Sequence, residues 1–198
     1  MSNAEHPPAD APLLADHLAL DLLNTEARDD GTAVEFWHGG DDVLRWLARQ
    51  GIVPAPGAAA ADLAALLAHA LALRTLAREL IGRRSEGKTI APDGLNAYLH
   101  AHLSAPHLAL DAAGGLVLRR VPLGDAIAAL LGPVAEAVAQ LLAEGDFTLV
   151  RQCEHPECVL WFYDSTKAHK RRWCSMALCG NRHKAAQFRK KASQGAGA

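Results

Sequence analysis

Apolar residues recur three and four positions apart through most of the first 145 residues, the period of helices with one buried face. Leu14, Leu18 and Leu22 keep that spacing and predict a first helix within 13–25, with Asp21, Asn24 and Thr25 together on an adjoining face. Gly39-Gly40-Asp41 reads as the start of a second helix running to about Gln50, with Val43, Leu44, Trp46 and Leu47 inward and Gly51 as its stop. The longest predicted helix covers 59–84; Leu63, Leu66, Leu67, Ala70, Leu73, Ala77, Leu80 and Ile81 form its stripe, and Arg74, Arg78, Arg83 and Arg84 fall outside it. Pro92 opens a fourth, with Leu95, Leu99 and Leu103 as its seam and Pro106 as its stop. Asp125 opens the last of this series, through Ile127, Leu130, Leu131, Val134, Val138, Leu141 and Leu142, kinked or broken at Gly132-Pro133 because proline removes a helical hydrogen bond.

One segment abandons the helical period. Leu108-Ala109-Leu110 and Leu116-Val117-Leu118 flank Asp111-Ala112-Ala113-Gly114-Gly115, the pattern of a β-hairpin with a longer loop, and the only β element expected in this part of the chain. Phe147-Thr148-Leu149-Val150 reads as an extended lead into the cysteine-rich end, which puts a boundary near 148–152. The expected architecture is mainly α: a multi-helix orthogonal bundle with one β-hairpin over 1–150, then a small stapled module over 151–198 ending in a basic helix.

Composition supports the bundle, since half of the 198 residues are apolar while only 5% are aromatic, so alanine and leucine do the filling. A domain of about 150 residues can build a core from them, whereas the remaining 48 cannot without a staple. No membrane span is expected: Asp62 and His69 interrupt the run 58–73, and Gly132-Pro133 and Glu136 interrupt 127–142. Met1 to Pro12 has neither a basic nor an apolar leader region, so a cytoplasmic protein with reduced thiols is expected.

Those thiols are the sharpest chemical signal. Cys153-x4-Cys158 and Cys174-x4-Cys179 form two matched knuckles fifteen residues apart, the ligand set of a closed tetrahedral Zn²⁺ site, and the chain has no fifth cysteine. Structural zinc in such segments is worth on the order of 10–16 kcal/mol, so the module should not fold without it.

Charge reverses at the same place. Residues 1–150 carry 10 Lys/Arg against 19 Asp/Glu, and residues 151–198 carry 10 against 3. An excess of cations on a small metal module is the footprint of a phosphate-backbone binder, with duplex DNA the expected partner; the same charge also fits a solvated surface or a patch that docks onto the acidic first domain. The run after Cys179 has helical spacing with His183, Gln187, Lys190 and Lys191 on one face and Ala185 and Phe188 inward. Arg182 and Gln187 suit base edges; Lys184, Lys190 and Lys191 suit phosphates; Lys170, Arg171, Arg172 and Asn181 complete the expected contact set. Trp161, Phe162 and Trp173 are expected to pack the module's core; their use as stacking platforms would make this a binder of single-stranded nucleic acid or RNA.

Cys153-x4-Cys158, Phe162-x-Asp164-x-Thr166, Arg172-Trp173-Cys174-Ser175-Met176 and Cys179-Gly180-Asn181-Arg182-x-Lys184 resemble the CGNR zinc finger. Leu18-Ala19-Leu20-Asp21-Leu22-Leu23-Asn24-Thr25 and Leu44-x-Trp46-Leu47 resemble the ABATE domain usually found ahead of it. The chain departs from the finger's pattern at Val159-Leu160, where Gly-Trp is usual. The resemblance implies a bacterial stress-related transcriptional regulator, its finger on DNA and its first domain open to a small ligand. Asp21, Asn24 and Thr25 either line such a pocket or satisfy buried backbone groups. An enzyme would have to use Asp21, Asn24, His17 and Glu26 or His38, and no nucleophile with a base, open metal site or phosphate loop is readable among them.

Overall fold

The computed structural model describes residues 10–29, 31–54 and 60–195, without the side chains of 29 and 190–195. Among them lie six α-helices and three two-stranded antiparallel sheets, so the mainly helical expectation holds. The chain divides into two compact units, one formed by 1–36 with 146–198 and the other by 37–145. The compact division therefore differs from the single boundary expected near 148–152: the first 36 residues cluster with the cysteine-rich end.

In the unit built from both chain ends, α1 (Leu18–Leu23) is much shorter than expected. Asp16 takes a left-handed backbone (φ 56°), and the N–H groups of Leu14 and Ala15 donate to Asp21 Oδ1 instead of entering a helix. His17 caps α1, its Nδ1 accepting from Ala19 N at 3.2 Å. Burial pushes the imidazole pKa down, against the raising effect of Asp21, which keeps this acceptor unprotonated.

A hairpin absent from the sequence expectation follows, β1 (Glu26–Asp29) and β2 (Thr32–Glu35), with Gly31 at φ 79° in its turn. Asp30-Gly31 was its available signal, a dipeptide that supplies the positive φ of tight hairpin turns. At the other end of the chain, β5 (Val150–Gln152) pairs with β6 (Trp161–Tyr163). Thr148 N and Oγ1 both donate to Asp146 Oδ1, making a turn where an extended lead was expected. The chain closes with α6 (Asn181–Gly195).

The second unit holds α2 (Gly40–Arg49), α3 (Leu63–Ser85), α4 (Asp93–Ala101), the hairpin β3 (Ser104–Leu110) and β4 (Leu116–Pro122), and α5 (Ala126–Glu144). Asp62 caps α3 by accepting from Ala64 N and Ala65 N, which fixes its start; the expected residue 59 lies outside the described residues. Arg74, expected outside the stripe, is buried with its guanidinium 5.4 Å from the Trp37 ring centre, and Trp37 meets Trp46 edge-on. Pro106 lies within β3 opposite Arg120, so α4 ends earlier than expected, at Ala101.

Of the two alternatives expected at Gly132-Pro133, the break does not occur: α5 runs as one helix through Pro133. Eight of its residues are buried, a packed face that outweighs one lost hydrogen bond. Gly132 is required there because a Cβ would stand 2.1 Å from the His102 ring. By length and composition α5 is apolar enough to cross a bilayer, and eight of its residues are buried in this unit.

A candidate zinc centre and its basic face

The two cysteine knuckles converge. Their four sulfurs lie within 4.8 Å of one another, with Cys158 to Cys174 at 3.8 Å and Cys174 to Cys179 at 3.5 Å. A tetrahedral zinc with ligands at about 2.3 Å requires sulfur separations of about 3.8 Å, so the donor set fits one ion. Ser175 places the second knuckle: its Oγ accepts from Ala177 N and Leu178 N and starts a π-helical turn, Met176–Gly180, that carries Cys179. At Gly180 a Cβ would sit 2.7 Å from Met176 Sδ, so a larger residue there requires the exposed Met176 side chain to shift.

Proton affinities show why these thiols want a cation. Hydrogen bonds from Cys158 and Cys174 pull Cys153 down to about 2, the reciprocal contacts push Cys158 and Cys174 up, and burial pushes Cys179 up to about 12. Thiols this close cannot all ionise by themselves, whereas a dication stabilises all four as thiolates. The backbone N–H groups of Cys174 and His155 serve the Cys153 sulfur, and that of Leu160 serves Cys158.

The N-terminal segment is built into this centre. Asn24, fully buried, clamps the Trp161 backbone: its Nδ2 donates to Trp161 O at 2.9 Å, and its Oδ1 accepts from Trp161 N at 2.8 Å. Tyr163 N donates to Ala15 O at 2.8 Å, and Thr25 Oγ1 donates to Leu22 O. Asp21, Asn24 and Thr25 therefore serve backbone groups, the scaffold alternative of the sequence reading. Leu14 and Ala27 pack against the core of Cys153, Leu160, Phe162, Cys174 and Cys179.

Arg171 ties these pieces together and is no surface cation. It lies 4.3 Å over the Phe162 ring, and its guanidinium donates to Trp173 O, Asp16 Oδ2, Leu14 O and Cys174 O. That fork of donors is spent inside the fold, which removes Arg171 from the expected phosphate contacts. Asp164 holds it in place: Oδ2 accepts from Arg171 N at 2.8 Å, while Oδ1 accepts from Thr166 Oγ1 and N. Burial alone would raise the Asp164 pKa, but these hydrogen bonds, with the nearby Arg151 charge, bring it below the usual carboxylate range.

The other expected contacts divide. Lys170, Asn181, Arg182, Lys184 and Gln187 are exposed. Arg172 is exposed as well, although it pairs with Glu154 at 2.6 Å and lies over Trp173. His183 is half-buried, its ring 4.7 Å from that of Trp173 and its Nε2 3.4 Å from Gln187 Nε2. The side chains of Lys190 and Lys191 lie outside the described residues. Phe188 reverses the expectation of an inward position, being 76% exposed, and Ala185 is exposed beside it.

Residues 16–145 match the ABATE family model, described as "Putative stress-induced transcription regulator". The chain belongs to this family. Residues 150–192 of this ABATE protein match the CGNR zinc finger, in the order expected from the motifs. The finger holds one structural zinc ion through Cys153, Cys158, Cys174 and Cys179. No curated protein matches the chain.

The ABATE signature around Leu18–Thr25 thus contributes to the same compact unit as the finger. At the departure from the Gly-Trp pattern, Leu160 is buried in the metal-side core and Trp161 carries the backbone that Asn24 grips. Sequence reasoning missed the roles of Asp16, Asp164 and Arg171. Asp164-x-Thr166 was readable as a local turn, since aspartate accepts readily from a backbone N–H two residues on.

Proposed function

We propose that this ABATE protein is a cytoplasmic transcriptional regulator whose zinc finger binds duplex DNA without a membrane partner. The supporting observation is the set of exposed polar and cationic side chains, Lys170, Arg172, Asn181, Arg182, Lys184 and Gln187, displayed around a rigid four-cysteine centre. Lysines there suit phosphates, and Arg182 and Gln187 suit base edges at the start of α6. Fluorescence anisotropy on duplex DNA tests this. Lys184→Glu weakens binding to every sequence and lowers the salt slope by up to about 0.9. Absence of duplex binding at low salt contradicts the reading.

Sensing is assigned in this proposal to the unit 37–145. It contains an open cleft of about 1710 Å³ lined by Leu44, His102, Arg120, Ile127, Leu130 and Glu136 among others, a mixture of apolar and charged groups suited to a small amphipathic ligand. A second reading rests on Phe188. An aromatic ring this exposed on a basic helix suits stacking on an unpaired base, so tight single-strand binding abolished by Phe188→Ala would favour a single-stranded nucleic-acid or RNA binder.

A further inference from the structure

Helix α6 presents an exposed stripe on the side turned away from the finger. His183 is half-buried with its ring 4.7 Å from that of Trp173, which fixes the face of α6 that packs inward. At about 100° per residue, Asn181 and Phe188 lie about 160° and 140° round the helix from it, close to Lys184 and Ala185, and all four are exposed. Phe188, at 76%, is the most exposed large apolar side chain among the described residues. Arg182 and Gln187 stand on the two flanks of this stripe, Gln187 with its Nε2 3.4 Å from His183 Nε2.

The stripe is anchored to the metal centre. Asn181 comes two residues after Cys179, and its backbone N–H donates to Leu178 O and Met176 O of the π-helical turn that carries this ligand, while Gly180 N donates to Ser175 O at 3.0 Å. Charge then selects the occupant. Residues 181–191 hold five lysines and arginines and no carboxylate, so a second copy of α6 is repelled and a polyanion attracted. Asn181 and Lys184 make the stripe too polar for the apolar face of a helix lying on a membrane. A DNA duplex supplies partners for both ends. In its major groove adenine offers an N6 donor and an N7 acceptor that an asparagine amide meets together, and thymine offers a methyl group that a phenyl ring can cover. The major groove of an RNA duplex is too narrow to be read in this way.

Resting on the proposal that the finger binds duplex DNA, we infer that α6 enters the major groove with this stripe and reads A·T base pairs: Phe188 packs on a thymine methyl and Asn181 pairs with an adenine. Seven residues separate the two side chains, about 10.5 Å along the helix, so the two base pairs lie about two to three steps apart. Lys184, toward one edge of the stripe, reaches the phosphates of the groove wall. The phenyl ring thereby contacts a base edge inside a duplex, where single-strand binding would place it on the face of an unpaired base.

The test is selection from a randomised duplex pool with the zinc-loaded full chain, followed by anisotropy on the selected duplex with each thymine replaced in turn by uracil. At one thymine, loss of the methyl weakens wild-type binding about fourfold and leaves Phe188→Ala unaffected. Phe188→Leu keeps an apolar contact and retains part of the discrimination. Replacing the adenine two to three steps away by 7-deazaadenine, which lacks the N7 acceptor, weakens the wild type about fivefold and leaves Asn181→Ala unaffected. Asn181→Ser takes the place of that variant if alanine lowers the zinc content. Duplex binding that selects no sequence, or that nowhere distinguishes thymine from uracil, overturns this inference alone. So does discrimination that survives Phe188→Ala or, for the adenine, Asn181→Ala. Absence of duplex binding, or tight single-strand binding that Phe188→Ala abolishes, overturns the duplex reading beneath it as well.

Discussion

Asn24→Ala removes both hydrogen bonds that hold the Trp161 backbone and leaves an N–H and a C=O at a half-buried position without protein partners. Each unsatisfied buried group costs about 1–3 kcal/mol, and partial access of water to Trp161 places the pair in the lower half of that range, about 2–4 kcal/mol together. Trp161 lies three residues beyond Cys158 and pairs with Gln152, next to Cys153, so the strain falls on two zinc ligands. If the unit folds with its metal, that energy appears as metal affinity, weakened by about thirtyfold to about 700-fold at about 1.4 kcal/mol per decade. Competition with a chromophoric chelator reads this directly, and it avoids assuming that a chain of two compact units unfolds in one step. Asn24→Asp should cost at least as much, because it brings a buried carboxylate against Trp161 O. Zinc affinity within about threefold of wild type in both variants would refute the clamp.

Metal analysis should find one zinc per chain in the reduced wild type and a loss of most of it in Cys174→Ser, whose sulfur is 3.8 Å from Cys158 and 3.5 Å from Cys179; full retention would contradict the ligand set. Asp164→Asn should destabilise the finger by a constant amount from neutral pH down to about pH 5. The folded Asp164 pKa is depressed, so its stabilisation is present above the unfolded value near 4 and is lost as pH falls through the lower folded value. Denaturation of both proteins across that window checks it, and a gap that widens on acidification would be inconsistent with a depressed carboxylate.

The zinc ligands were legible because four cysteines in matched pairs leave few alternatives, and long stripes such as Leu66, Ala70, Leu73 and Ala77 announced their helix. What escaped the sequence depends on partners distant in the chain. The helical spacing of Leu14 and Leu18 is genuine, yet the turn at Asp16 and the pull of Asp21 on two N–H groups end the helix early. Arg171 sits within a run of cations that resembles a phosphate-binding patch, and only the fold shows its guanidinium turned toward Leu14, Asp16 and the second knuckle. Asn24 looked equally suited to a ligand or to a backbone, because its partner is 137 residues away.

The central claim is that residues 11–36 and 146–181 form a single zinc-dependent folding unit. Hydrogen exchange with mass-spectrometric readout, on the full chain before and after zinc is chelated under reducing conditions, tests it most directly. The account predicts that metal removal abolishes protection at Tyr163, Asp164 and Gly180 and, together with them, at Leu14, Ala15 and Asn24, while α3 and α5 keep theirs. Protection at Leu14, Ala15 and Asn24 that survives chelation, with the finger exposed, would contradict it.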